Sequence, residues 1–323
     1  MQSYKIFQGI AIPYSALVSV VFGLMIFSFP IGAYLFFNSN LGGSIDYQYP
    51  LYEIEFIKAL GLQWTSEIQI GDVFIAVWMF FLVIFVIASL GPSRNFMRVL
   101  SPIMSGTAEH QDGNYLVHTI KWFSVIIILS AAIDVVQRSF GVNITPPPFG
   151  NDLVQLLSVT FAPIIEEIGF RIILVGIPVF LLYAKRASAK DFFRSLWNPS
   201  AVLSISDVRK ALIVIIASAA LFGLAHVMSE QGWTSGKMAQ ATMSGIIIGW
   251  VYIRYGFVSA LLIHWATNYM VFSYGYLVAS VNDVKIMDAF SHSLIQTIEI
   301  LLVVTGVLSL AMIWLGRRKA LNV

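Results

Sequence analysis

The chain has 323 residues, 58% hydrophobic and only 11% charged, with a mean hydropathy of +0.81. A soluble domain carries roughly a quarter charged residues, so the solvent for this chain is a lipid bilayer. A net charge of +2 is too small to suggest a nucleic-acid partner, and the absence of cysteine excludes disulfides, thiolate catalysis and cysteine metal sites.

A helix needs about 20 apolar residues to cross the hydrocarbon core. Eight stretches approach or exceed that length and predict an all-α polytopic helix bundle: roughly 10–37, 70–91, 117–136, 153–183, 210–228, 238–254, 257–278 and 293–315. The first contains Pro13 and Pro30, which favour a bend. It is too long for a signal peptide, and no small-residue cleavage site follows it. The longest connection, 39–69, holds Tyr47, Tyr49, Pro50, Tyr52 and Trp64, an interfacial composition. The fourth stretch is long enough to tilt or to begin outside the core. The short seam Arg254-Tyr255-Gly256 makes the sixth and seventh antiparallel neighbours. No internal repeat is visible. The chain divides into three N-terminal spans (1–150), a central helix core (151–278) and a last span with a basic tail (279–323).

Lys and Arg in short loops set the orientation. With the N-terminus inside, the inner face collects Lys5, Arg94, Arg98, Lys185, Arg186, Lys190, Arg194, Arg209, Lys210, Arg254, Arg317, Arg318 and Lys319. The outer face receives Lys58, Arg138, Lys237 and Lys285, thirteen against four, with most of the acidic loop residues. Lys121 lies at the inner end of a span. Eight spans place both termini on the cytoplasmic side.

Three charges stand inside the fourth stretch: Glu166, Glu167 and Arg171. A charge at the bilayer centre costs at least about 2.5–3.5 kcal/mol on insertion scales. The flanking Phe161, Ile164, Ile165, Ile172, Ile173 and Leu174 offer no water. The cluster therefore needs a polar cavity, internal pairing, or both. On a helix Glu167 and Arg171 are i,i+4 neighbours in the favourable order, acid before base. Glu166 points about 100° away and is left outside that pair. A carboxylate without its own cation in a low-dielectric site suits proton transfer. A structural charge cluster, or an ion site in a transporter, would use the same residues.

Two further polar pieces follow. Phe222-Gly223-Leu224-Ala225-His226 closes the fifth stretch, with Ala219 and Gly223 spaced for close helix approach. His264-Trp265-Ala266-Thr267-Asn268 lies in the seventh, with His264 and Asn268 at i,i+4 as hydrogen-bond donors on one face. Ser244, Gly245 and Gly249 fit a tight seam on the helix between them. The other histidines, His110, His118 and His292, lie in loops or at span ends and read as solvated or interfacial.

EExxxR, FxxxH and HxxxN on three separate late spans resemble the CAAX protease and bacteriocin-processing enzyme family, which includes type II CAAX prenyl endopeptidases. The resemblance covers about residues 150–275 and fills every motif position. It implies that Glu166 and His226 activate a water for attack on a peptide carbonyl. It further implies that His264 and Asn268 hydrogen-bond the oxyanion, while Glu167 and Arg171 form an internal ion pair. Phe222 would pack beside the site. The implied substrate is a membrane-anchored or lipidated protein, with no nucleic acid involved. Glu166, His226 and His264 could in principle surround Zn2+, but no HExxH pairing exists. Water activated by Glu and His without metal is the favoured reading. The alternatives are a catalytically silent membrane scaffold or immunity-type protein, and an ion- or proton-coupled transporter.

Depth is readable as well. Glu166 lies 17 residues before Tyr183, about 25 Å at 1.5 Å per residue, and His226 16 residues after Lys210, about 24 Å. Asn268 and His264 come to only about 18 and 12 Å from Gly256. Glu166 and His226 therefore belong in the outer half of a core about 30 Å thick. Relatives that process CAAX ends act at the cytosolic side, so the side of access stays open.

Overall fold

The computed structural model describes residues 2–54, 67–104, 113–144, 150–184, 188–228 and 233–321, with side chains from 9 to 315. Trp64, His110, Lys58, Lys185 and Arg186 lie outside the described residues. The architecture is helical throughout, joined in its first long connection by an antiparallel bridge between Pro50 and Gln69 and a 3-10 turn at Leu51–Glu53.

In chain order the helices are α1 (Gln2–Asn38), α2 (Ile70–Leu90), α3 (Phe96–Met104) and α4 (Tyr115–Ser139). A continuous rod follows, α5 (Asp152–Glu167), a π-helical segment π1 (Ile168–Gly176) and α6 (Ile177–Tyr183). Two short helices, α7 (Ala189–Trp197) and α8 (Pro199–Val202), lead to the long α9 (Val208–Met228) and α10 (Lys237–Tyr255). A second rod comprises α11 (Phe257–Trp265), π2 (Ala266–Met270) and α12 (Val271–Asn282). The short α13 (Ile286–Ala289) and the long α14 (Ser293–Leu321) close the chain.

Among the described residues, five helices are long and apolar enough to cross a membrane by themselves: α1, α2, α4, α9 and α14. The chain is a multi-pass membrane protein. The other three expected stretches are the two π-interrupted rods and the 19-residue α10. Pro13 and Pro30 do not interrupt α1, which runs unbroken across both. Carbonyls around Pro30 take side-chain donors from other helices instead: Trp78 Nε1 donates to Phe29 O (3.0 Å), Tyr269 Oη to Ser28 O and Tyr274 Oη to Leu24 O (both 2.9 Å).

Helix starts carry their chemistry in the sequence. Asn114 and Asn151 each accept from two backbone amides at the heads of α4 and α5, and Ser188 with Asp191 forms a capping box on α7. The core around α11 is aromatic. Trp265 stacks on Phe29 (5.1 Å), Phe81 (5.8 Å) and Tyr269 (5.3 Å), so α1 and α2 wrap the helix that carries His264.

α9 and α10 pack along the expected small-residue seam. A Cβ on Gly223 would sit 2.0 Å from Thr242 Oγ1, and one on Gly245 would sit 3.0 Å from Ala219 Cβ. At the seam between α10 and α11, Gly256 turns the chain at φ +90°. From there α11 is buried along its whole length, Phe257 to Trp265.

One expectation about this end of the molecule is corrected. His118 is neither solvated nor interfacial: it is 3% exposed and stacked 3.8 Å from the Tyr255 ring. Lys121, near the inner end of its span as expected, is covered too. It is 7% exposed, with its ammonium 5.9 Å from the same ring. The seam after α10 turns inward, carrying Tyr255 against α4, so polar groups one turn along α4 are covered by protein. His292 is exposed as expected and accepts from Leu294 N (3.2 Å) at the head of α14.

Candidate active site

α5 ends on Glu167 and widens at once into π1. Pro163 and Pro178, neither with an N–H to donate, bracket the widened turns. The Phe170 carbonyl accepts from Ser218 Oγ of α9 at 3.1 Å, so a neighbouring helix satisfies a backbone group beside the irregular segment. Such π turns recur where a helix must aim side chains for function.

The expected ion pair is present. Arg171 Nε lies 3.1 Å from Glu167 Oε2, with the side chains 2% and 0% exposed. The contact is a close charge pair rather than an aligned hydrogen bond, because neither atom has a hydrogen-bond partner among the described residues. The Arg171 guanidinium also rests over the Phe222 ring at 4.8 Å.

Glu167 has a second partner. His264 Nδ1 bonds Glu167 Oε1 at 2.8 Å in a buried setting. The opposite ring nitrogen, Nε2, lies 3.6 Å from Glu166 Oε2, which has no hydrogen-bond partner among the described residues. His264 therefore bridges the two glutamates. With Nδ1–H donating to Glu167, Nε2 donates only if the ring carries both protons.

His226 is fixed differently. Its Nδ1 donates to Phe222 O at 2.8 Å within its own helix, which leaves Nε2 uncommitted on a half-buried ring. Glu166 acts on it electrostatically from outside ion-pair distance. Phe222 sits between the pieces, 4.6 Å from the His226 ring, 5.9 Å from His264 and 4.9 Å from Phe170. It packs beside the site. Asn268, on π2, is half-buried and its side chain makes no hydrogen bond among the described residues.

The difference between the depth estimates, about 25 Å for Glu166 and 12 Å for His264, is explained by α11. Its start is sunk into the bundle, with α7 and α8 packed beneath it: Trp197 lies 5.8 Å from Phe257, and Tyr252 Oη donates to Leu196 O at 2.8 Å. Distances counted from Gly256 begin well inside the protein.

One site residue escaped the sequence reading. Lys237, placed there in an outer loop, is the first residue of α10 and an electrostatic neighbour of both Glu166 and His226. Its ammonium lies over the Trp233 ring at 4.3 Å. A lone lysine after a short connection gives no signal in the sequence, because its direction depends on how α9 and α10 pair.

A zinc site needs three or four donors converging on one point. Among the described residues no group of three His, Asp or Glu side chains is arranged to hold a metal ion, while the Nδ1 bonds of His226 and His264 leave both Nε2 atoms free, as in a histidine that ligates metal.

Residues 150–270 match the family model described as Type II CAAX prenyl endopeptidase Rce1-like. No curated protein and no solved structure matches the chain.

Proposed function

We infer that the domain at residues 150–270, which belongs to the Rce1-like type II CAAX prenyl endopeptidase family, is the catalytic core of an intramembrane endopeptidase that cleaves a membrane-anchored substrate without a covalent intermediate. The observation that carries this reading is the bridge Glu167–His264–Glu166, with contacts of 2.8 and 3.6 Å.

Peptide hydrolysis without a Ser or Cys nucleophile needs a base for water and donors aimed at the developing oxyanion. Glu166, the acid not paired with Arg171, takes a proton from water as the water oxygen attacks the carbonyl carbon. The oxyanion is met by His264 Nε2–H and the free Asn268 amide. His226 Nε2, left free by the Nδ1 bond, orients the water. The proton on Glu166 then passes to the leaving amine as the C–N bond breaks. Glu167 holds the His264 ring and is itself neutralised by Arg171. A metal-free route is supported by the spacing of the donors, since no three His, Asp or Glu side chains among the described residues converge on one point.

The test is cleavage of a membrane-anchored peptide library by protein in nanodiscs. Glu166→Gln is expected to lower the rate by about 10²–10⁴, the usual worth of a general base, with unchanged helicity and melting. A variant as fast as the parent would show the mechanism to be wrong. Treatment with 1,10-phenanthroline is expected to leave the rate unchanged, and loss restored by zinc would show a metal route instead.

A further inference from the structure

We propose that α7, with the polar recess beside it, docks the headgroup of an acidic phospholipid in the leaflet at the basic face of the protein. α7 is a nine-residue helix with three distinct sides. At about 100° per residue, Phe192, Ser195 and Leu196 share one side, Phe193 and Trp197 the next, and Lys190 and Arg194 the side beyond that. The first side faces protein. Ser195 is 2% exposed, Phe192 meets the Phe180 ring at 5.0 Å, and the Leu196 carbonyl accepts from Tyr252 Oη at 2.8 Å. The second side is apolar and uncovered, with Phe193 69% and Trp197 43% exposed. The third carries two exposed cations.

That order is the one a helix needs to lie in a membrane interface. Phe193 and Trp197 enter the upper acyl region, and the cations next to them stay level with the lipid phosphates. The single acid of α7, Asp191, is engaged by Ser188, whose Oγ donates to it at 2.8 Å in the capping box. The helix is also fixed in place. Besides the capping box and the Tyr252 bond, a Cβ on Gly176 would lie 3.1 Å from Leu196 Cδ2, so α7 rests directly on the end of π1. A surface already held in shape loses little freedom when a headgroup binds.

Past the last residue of α7 the surface continues into a recess of about 250 Å³, lined by Tyr115, His118, Asn198, Ser200 and Arg254 among others. No Asp or Glu lines it among the described residues. Arg254, in the last turn of α10, is exposed and forms no ion pair among the described residues. Ser200 Oγ donates to the Arg254 carbonyl at 3.0 Å and ties α8 to that turn. A guanidinium fork matches the oxygens of a phosphate two at a time. Cations beside an exposed aromatic strip attract a negatively charged headgroup whose chains the strip can meet. A soluble phosphate would use Arg254 and leave Phe193 and Trp197 bare.

The test is native mass spectrometry of the full chain in dodecyl maltoside with equimolar phosphatidylglycerol and phosphatidylcholine of identical acyl chains. Phosphatidylglycerol is expected to be retained in excess. Arg194→Gln and Arg254→Gln are each expected to lower the ratio about fivefold, the worth of one cation at an anionic surface. Lys285→Gln, exposed at the other end of the molecule, is expected to leave it unchanged. Phe193→Ser is expected to lower retention of both lipids while keeping their ratio. A ratio near one in the parent, a ratio unmoved by either arginine variant, or an equal fall in Lys285→Gln overturns the proposal. Full retention in Phe193→Ser takes α7 out of the surface and overturns it too. Displacement of phosphatidylglycerol by an equal concentration of sodium phosphate would show a soluble-anion site in place of a lipid one.

Discussion

Glu167 is the residue on which the site turns, because it neutralises one side chain and orients another. It holds Arg171 at 3.1 Å and His264 at 2.8 Å with no exposure of its own. Removing one member of a buried pair strands the other charge, at a cost of about 3–5 kcal/mol. Glu167→Gln is therefore expected to lower the thermal unfolding midpoint sharply in detergent and to abolish cleavage. The double variant Glu167→Gln with Arg171→Met removes the stranded cation, so most of the stability returns while activity stays lost, since His264 still lacks its acceptor. If both properties returned together, Glu167 would be a scaffold residue only. Asn268 gives a simpler expectation. Loss of one oxyanion donor typically costs about 10²–10³ in rate, so Asn268→Ala is expected to lower kcat by that factor with little change in KM.

Among the elements, the α9–α10 pair sets the distance between Phe222-His226 and the rest of the site. Its closeness depends on glycine. A methyl on Gly223 would collide with Thr242 Oγ1 at 2.0 Å and with the Met238 carbonyl at 2.8 Å. Gly223→Ala is expected to cost about 1–3 kcal/mol, as overpacking usually does, read as a lower unfolding midpoint. Thr242→Ala in the same chain removes the nearer obstacle and is expected to restore part of the loss. The π1 segment acts on the other wall. Deleting Gly169 would turn everything after it by about 100° and bring Arg171 one position closer in sequence to Glu167. That deletion is expected to abolish cleavage while circular dichroism still reports a helical protein.

For the whole molecule, the first helices brace those that carry the candidate site, although the matched family domain does not begin until residue 150. Tyr269, next to Asn268, reaches across to Ser28 O on α1, and only a glycine at position 32 leaves room for it: a Cβ there would lie 1.9 Å from Tyr269 Oη. Gly32→Ala is expected to push Tyr269, and with it π2, away from α1. The measurement is kcat against a membrane-anchored peptide, with lower kcat and near-parent helicity as the expected outcome. An unchanged kcat would show that α1 is packing alone. The stack of Phe29, Phe81 and Tyr269 on Trp265 extends the same brace to His264.

The sequence by itself determined the solvent, the helical class, the positions of the long helices and the spacing of the pair Glu167–Arg171. These follow from local quantities: hydropathy over about 20 residues, capping chemistry and i,i+4 spacing. The same reading named Glu166, His226, His264 and Asn268, because intramembrane polar groups are rare enough to stand out. Only the tertiary structure decided that Glu167 also holds His264, and that His264 rather than His226 lies nearest Glu166. It likewise made Lys237 an electrostatic neighbour of Glu166 and buried His118 against Tyr255. Each of those facts depends on how far one helix is sunk beside another, and on π turns that rotate side chains out of α register. Spacing along a single helix carries no information about either.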